Sequence, residues 1–146
     1  MTLRINLLLM VFTVGITLSV FSNDVWGSKW VEFYDDEGTT HFYDESSIRK
    51  TSHILKVWTW TTYSSGKERD QFVKSLSDYY GNHNFVSMTN KKILIEIKCK
   101  QHLYRVISST YYDGDGIALY VRNDPSEWMN MVPDSLAIML KEIVCK

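Results

Sequence analysis

The sequence predicts an α+β domain, in which a C-terminal helix packs on one face of an antiparallel β-sheet and is tied to it by a disulfide. The segment 90–100 alternates apolar and polar residues with a period of two, as a strand with one buried face does. The residues after Ser135 carry apolar side chains at helical spacing. The only two cysteines are Cys99, in the alternating segment, and Cys145, near the end of the chain.

The first residues are predicted to be a secretory signal and not part of the fold. Arg4 precedes a nearly uninterrupted apolar run over 7–21, and small residues follow it. Cleavage after Ser22 and cleavage after Gly27 both fit, so we expect a signal peptide within 1–27 and a mature domain over 28–146. An uncleaved anchor is the weaker alternative, because a spanning helix needs about 20 apolar residues. No cysteine lies near the cleavage region, so we expect no lipid anchor and no transmembrane span after cleavage.

The composition limits the classes of function. The chain of 146 residues has the size of one domain, and its 45% of hydrophobic residues is too high for a disordered chain. Its formal net charge is -1, whereas nucleic acids and anionic membrane surfaces are bound by concentrated basic surfaces. The sequence therefore predicts a globular domain without a nucleic-acid partner.

The first half of the mature chain is predicted to contain three strands. Two aromatic-rich runs within 30–44 flank Glu37-Gly38, which is a typical hairpin turn. The segment 53–63 is rich in β-branched and aromatic residues and forms the third strand. Alternation in that strand places Trp58 and Trp60 on one face and Val57 with the neighbouring threonines on the other.

A short amphipathic helix is predicted over 67–80, within a long connection. Apolar residues recur there at helical spacing, charged residues surround them, and Gly81 is a reasonable stop signal. The basic and tyrosine side chains of this helix are the candidate binding surface, the alternative being a merely solvated helix. The candidate residues are Lys67, Arg69, Lys74, Tyr79 and Tyr80.

The second half is predicted to add three strands and the final helix. In 90–100 the isoleucines and Cys99 share the core face, while Leu94, Glu96 and Lys98 share the wet face. A strand over 102–112 continues through a hairpin turn at 113–116 into another strand over 117–121. A Pro133-Asp134-Ser135 start precedes the amphipathic helix that carries Cys145 in its last turn.

The cysteine pair is read as a structural disulfide because an exported chain matures in an oxidising compartment. The spacing excludes a CxxC redox pair, and two cysteines are too few for a zinc site without nearby histidines. The separation of 46 residues corresponds to roughly 3–4.7 kcal/mol of loop-closure stabilisation. The bridge would hold the C-terminal helix across the inner face of the sheet.

An ordered set of aromatic, polar and cysteine residues runs through the whole mature chain. It opens with Trp30, Tyr43-Asp44, Ser47-Ile48 and Val57-Trp58. It continues through Ser87, Lys91, Glu96-x-x-Cys99, Tyr104-Arg105, Tyr111-Tyr112, Gly114-x-Gly116, Trp128, Pro133-x-Ser135 and Val144-Cys145. In this order, and ending in a cysteine, the set resembles the surface-adhesin protein E family of Gram-negative bacteria over about 30–146.

The resemblance implies a sheet of about six antiparallel strands with a C-terminal helix bridged to it. It also implies a binding role at the cell surface towards host matrix or serum proteins, and it carries no catalytic residues. The chain departs from the family pattern in two respects. It lacks a cysteine for a lipid anchor, which leaves retention at a surface unexplained, and its helical segment at 67–80 is longer and more charged.

Motifs for catalysis or cofactor binding are missing from the sequence. The four histidines, His41, His53, His83 and His102, have no metal-ligand spacing. The run 113–116 resembles the start of a calcium loop but lacks the remaining ligands, so it is read as a turn. The acidic cluster 35–37 lies beside a turn and is read as solvated. The sequence predicts no catalytic residue, no metal and no cofactor.

Three functional hypotheses follow, in decreasing order of support. The first is an adhesin-like binding module with a protein ligand at the cell envelope, such as a host matrix or serum protein. The second is a periplasmic structural or accessory domain that contacts another envelope protein. The third is an enzyme, which would require a deep pocket with converging polar groups. Surface exposure on intact cells separates the first from the second.

Overall fold

The computed structural model describes residues 27–146 apart from Glu37 and Asn82, so the predicted signal segment lies almost entirely outside the described residues. A short 3₁₀ turn, Glu45–Ser47, follows the first hairpin. The strands are β1 (Trp30–Asp36), β2 (Thr39–Asp44), β3 (Arg49–Lys50), β4 (Leu55–Tyr63), β5 (Met88–Lys98), β6 (Leu103–Asp113), β7 (Ala118–Arg122) and β8 (Met129–Asn130). The helices are α1 (Lys67–Tyr80) and α2 (Leu136–Val144).

The strands form one antiparallel sheet with the order β1-β2-β4-β5-β6-β7, and β3 pairs with β4 while β8 pairs with β6. The prediction of about six strands is confirmed for the continuous path, and the sheet has eight strands in all. The two strands that the sequence did not indicate have two residues each. A segment of that length is too short to carry a period-two pattern.

Both helices pack on the same face of the sheet. The α2 cluster contains Leu55 and Val57 of β4, and the α1 cluster contains Tyr63 of the same strand. Alternate residues of a strand share a face, so these three side chains point to one side. We call this the inner face and the opposite side the outer face.

The C-terminal helix is built as the sequence predicts. The Ser135 hydroxyl caps it by accepting a hydrogen bond from the Ile138 amide at 3.4 Å. Leu140 and Val144 are buried against the inner face. Cys145 follows the helix directly and is bonded to Cys99, with 5.8 Å between their Cα atoms. The predicted staple between helix and sheet is therefore present.

A β-bulge in β6 sets which side chains face inward. Val106 pairs with Ile95 and Ser108 pairs with Leu94, so Ile107 is an extra residue on β6. Beyond the bulge the alternation restarts, and Ser109 joins Val106 on the inner face. Val106 and Ser109 therefore both point inward although they are three residues apart, whereas in a regular strand such residues point to opposite faces.

One prediction about the strand faces needs correction. Glu96 lies on the outer face as expected, but it is only 5% exposed. Lys56 Nζ lies 3.0 Å from one carboxylate oxygen, and Arg105 Nη2 lies 2.7 Å from the other. These cationic side chains come from both neighbouring strands and cover the carboxylate. Alternation predicts the face of a strand but not what lies on top of it.

Candidate binding surfaces

The five sequence-predicted binding residues of α1 do not form one surface. Lys67 and Lys74 are exposed and seven residues apart, so they share a face of the helix. Tyr79 is 75% exposed, at the edge of the packed side. Arg69 and Tyr80 lie nearer the core-facing side, at about the same angle around the helix as Val73.

Arg69 and Tyr80 contact the rest of the fold. Arg69 Nε donates a hydrogen bond to the Met88 carbonyl at 2.8 Å, and its Nη2 donates to the Val86 carbonyl. Its guanidinium thus ties α1 to the segment that enters β5. The Tyr80 ring lies 4.5 Å from the Tyr120 ring, between their centroids, within an aromatic cluster. Of the five candidate residues, three are therefore exposed to solvent: Lys67, Lys74 and Tyr79.

The outer face of the sheet carries an aromatic surface that neither helix covers. Strand alternation places its members on one side, and each of them is partly exposed. The Trp30 and Trp60 rings meet edge to face with 5.4 Å between their centroids. Lys92 Nζ lies 5.1 Å and 5.2 Å from these two centroids, respectively. We call this set the aromatic outer face; its residues are Trp30, Trp58, Trp60, Lys92 and Tyr112.

The outer face carries cations and carboxylates in nearly equal number. Near the α2 end of the sheet, Trp128 lies under two cations, with Lys98 Nζ at 4.2 Å and the Arg105 guanidinium carbon at 4.6 Å from the ring centroid. Strand register puts four carboxylates on this face, Glu32, Asp35, Asp44 and Glu96. Glu96 is neutralised by its ion pairs. The cations of this face are Arg49, Lys56, Lys92, Lys98 and Arg105.

The inner face holds a pocket of about 260 Å³ beside α2. Its walls are mostly apolar and include Leu140 of α2 and the inward isoleucines of β5. One side is polar, where His41, Thr61 and Lys91 lie in register on three neighbouring strands. We call this cavity the inner pocket.

The polar residues of the inner pocket have shifted titration behaviour. Burial, with a contribution from the Lys91 charge, lowers the pKa of His41 to about 4, so the imidazole is neutral at pH 7. His41 Nδ1 lies 3.0 Å from the Thr61 hydroxyl oxygen. Burial also lowers the pKa of Lys91 to about 8. Lys91 Nζ lies over two rings, 4.8 Å from the Phe72 centroid and 5.5 Å from the Tyr63 centroid.

The sequence did contain a signal for each surface. Lys91 precedes Ile93 and Ile95 by two and four residues, so it lies on the same face of the strand and interrupts an apolar surface. Trp58 and Trp60 were assigned correctly to one face of their strand. The alternation does not show which of the two faces the helices cover. The exposure of the tryptophans depends on which face is covered.

Among the described residues, no group of three or more histidine, cysteine, aspartate or glutamate side chains is placed to hold a metal ion. Asp113 Oδ1 accepts hydrogen bonds from the amides of Asp115 and Ile117 at 3.0 and 2.8 Å, so its carboxylate stabilises the hairpin turn. Neither helix of the described chain is long and apolar enough to cross a membrane.

Comparison with known proteins identifies the family. A search of the curated proteins found no matching sequence. The family model described as surface-adhesin protein E matches residues 30–146, which is most of the chain and all of the sheet and both helices. The earlier resemblance rested on residues spread along this same range. The chain therefore belongs to the surface-adhesin protein E family.

Proposed function

We propose that the protein is an exported, non-enzymatic binding domain that recognises a protein ligand at the cell surface through its aromatic outer face. Membership of an adhesin family supports a binding role. The observation that carries the choice of surface is the uncovered group of three tryptophans and Tyr112 around Lys92. Both helices pack on the opposite face, so neither helix of the described chain covers this surface.

The chemistry of the aromatic outer face suits a protein partner. Tryptophan, tyrosine and arginine are enriched among the residues that dominate protein–protein binding energies. A rigid sheet presents these rings with little conformational entropy to lose, and Asn90 Oδ1 fixes Trp60 by accepting a hydrogen bond from its Nε1 at 3.3 Å. Because Lys92 lies between the Trp30 and Trp60 rings, the partner should present an acidic group beside apolar ones.

The exposed part of α1 is the weaker candidate surface. Lys67 and Lys74 are separated around the helix from Tyr79, and charged residues at a solvated helix surface contribute little by themselves. The two surfaces lie on opposite sides of the sheet. Substitutions on one should therefore leave the other unchanged, which makes α1 a matched control.

A binding assay with purified extracellular-matrix and serum proteins tests the choice of surface. For any ligand found, we expect Trp58→Ser and Lys92→Glu each to weaken binding at least tenfold, as truncation of a central anchor does. The matched control is Tyr79→Ser, which removes the most exposed aromatic ring of α1 and should leave affinity unchanged. Loss of binding in the control alone would move the site to α1 and refute the proposal.

Protease shaving of intact cells tests the location. With an antibody to the domain and a periplasmic marker as control, we expect the domain signal to disappear while the marker survives. Protection until the outer membrane is permeabilised would contradict a surface adhesin. The aromatic outer face would then have to bind another envelope protein, as a periplasmic accessory domain does.

A further inference from the structure

Lys91 is a partly buried cation that has no counter-charge among the described residues. Among the described residues its Nζ makes no hydrogen bond and no ion pair, and its near neighbours are the Tyr63 and Phe72 rings and the neutral His41. Burying a charge is costly unless it is paired, and the cost here is visible as a pKa lowered to about 8. The described part of the fold therefore supplies no carboxylate to pair with the Lys91 ammonium group.

Lys91 does not only lie against aromatic rings; it also forms part of a cavity wall. It lines the inner pocket, whose remaining wall is apolar and reaches α2. Thr61 and His41 lie beside it in register across the sheet, so polar groups are gathered at one end of the cavity. A cavity with an apolar body and a cationic, polar end is complementary to a molecule with an apolar tail and an anionic head.

We propose that the inner pocket binds a small carboxylate with an apolar tail, whose head pairs with Lys91 and whose tail lies along α2. A cavity of about 150 Å³ holds benzene, so a pocket of about 260 Å³ accommodates roughly ten non-hydrogen atoms. Octanoate, with ten non-hydrogen atoms, has that size and is a suitable probe of the site. This site lies on the face opposite to the aromatic outer face, so it does not depend on the proposed protein ligand.

The groups around Lys91 make the binding dependent on pH. The titratable neighbours are Tyr63 on β4, Tyr111 on β6 and His41 on β2, while Phe72 of α1 carries no charge. Burial raises the pKa of both tyrosines, that of Tyr111 to about 12, so they are neutral below pH 10. Only Lys91 changes charge near pH 8, and a bound carboxylate would favour its protonated form.

Isothermal titration calorimetry of the purified protein with octanoate and with 1-octanol tests the site. We expect saturable binding of octanoate at pH 7 and at least tenfold weaker binding of the neutral alcohol. Lys91→Met should weaken octanoate binding at least tenfold and leave the alcohol unchanged. The matched control is Lys92→Met, the next residue of the same strand, whose side chain lies on the outer face; it should bind octanoate as the parent protein does.

Two further measurements do not depend on the folding of Lys91→Met. In the parent protein, titrations in buffers of different ionisation enthalpy should show proton uptake on octanoate binding at pH 8 and almost none at pH 6. Ala137→Leu, which fills the pocket from α2, should remove binding of both ligands. No saturable octanoate binding, equal affinity for acid and alcohol, or binding unaffected by Lys91→Met in a folded variant would overturn the assignment. None of these results bears on the aromatic outer face.

Discussion

Two lysines that are adjacent in the chain meet opposite environments on the two faces of the sheet. Lys91 points to the inner face, where it lines a pocket with no carboxylate and its pKa falls to about 8. Lys92 points to the outer face, where its Nζ lies between the Trp30 and Trp60 rings on a partly exposed surface. The same residue type thus lines a pocket on one face and an aromatic surface on the other, and the pleat of one strand separates the two environments.

The largest expected effect comes from the bridge that keeps the inner face covered. Replacing Cys99 and Cys145 together by serine should lower the free energy of unfolding by about 4 kcal/mol, because the bridge spans 46 residues. We expect amides of α2 to lose protection from hydrogen exchange most strongly, since the bridge ends there. Urea denaturation measures the first effect, and native-state hydrogen exchange measures the second.

Reduction of the parent protein should reproduce the behaviour of the double variant, which provides its control. The aromatic outer face does not touch α2, so binding through that face should survive in the folded fraction. A loss of less than about 1 kcal/mol would mean that the packing of Leu140 and Val144 holds the helix without help.

The next effect compares the two lysines directly. Lys91→Met should raise the free energy of unfolding at pH 7 by about 2 kcal/mol, because it removes a buried charge that costs free energy in the folded state. The parent protein should become more stable between pH 8 and pH 10, since the folded lysine has lost its proton there while the unfolded lysine, with a pKa of 10.5, still holds it.

Lys92→Met is the matched control for that gain. Its side chain is partly exposed and contacts two rings, so we expect a change of no more than about 1 kcal/mol and no added pH dependence. Urea midpoints at pH 7 and pH 9 measure both variants. Equal stability changes in the two variants would mean that the faces differ less than the structure indicates.

The smallest of the three effects concerns Glu96, a buried carboxylate of the outer face. Burial raises the pKa of Glu96, but hydrogen bonds and charges from Lys56 and Arg105 outweigh it and lower the pKa below its usual value. Glu96→Gln should therefore cost about 1–2 kcal/mol at pH 7, discounted because Lys56 is half exposed.

The pH dependence of that cost has a definite sign. A carboxylate with a lowered folded pKa stabilises the protein above its unfolded pKa, near 4.5, and loses this contribution as the pH falls through the folded value. The difference between parent and Glu96→Gln should thus shrink below pH 4. Glu32→Gln changes an exposed carboxylate on the same face and should stay within about 0.5 kcal/mol at both pH values. A cost that is constant from pH 7 to pH 3 would contradict the ion-pair explanation.

Local patterns in the sequence predicted the elements of this fold well. Alternation in β4 placed Trp58 and Trp60 on one face, and apolar spacing predicted α1 and α2. The family assignment also followed from residues alone and is confirmed over 30–146. Each of these features depends on residues that are close in sequence or on their order along the chain, which is what a sequence displays.

The surroundings of the candidate binding residues were predicted less well than the elements that carry them. The basic and aromatic residues of α1 looked like one surface, but Arg69 bonds to the backbone before β5 and Tyr80 packs on Tyr120. The burial of Glu96 depends on Lys56 and Arg105 from neighbouring strands, which strand pairing brings together. A side chain is free for a ligand only if no distant residue already contacts it.

The sequence by itself determined the six longer strands, the two helices, the cysteine pair and the family, because period, capping and residue order are local or linear properties. Only the tertiary structure decided that both helices cover the same face. That choice leaves Trp30, Trp58 and Trp60 partly exposed on one side and places Lys91 in the wall of a pocket on the other. The physical reason is that exposure is a property of the assembled layers: a strand pattern separates two faces, and packing selects which of them meets solvent.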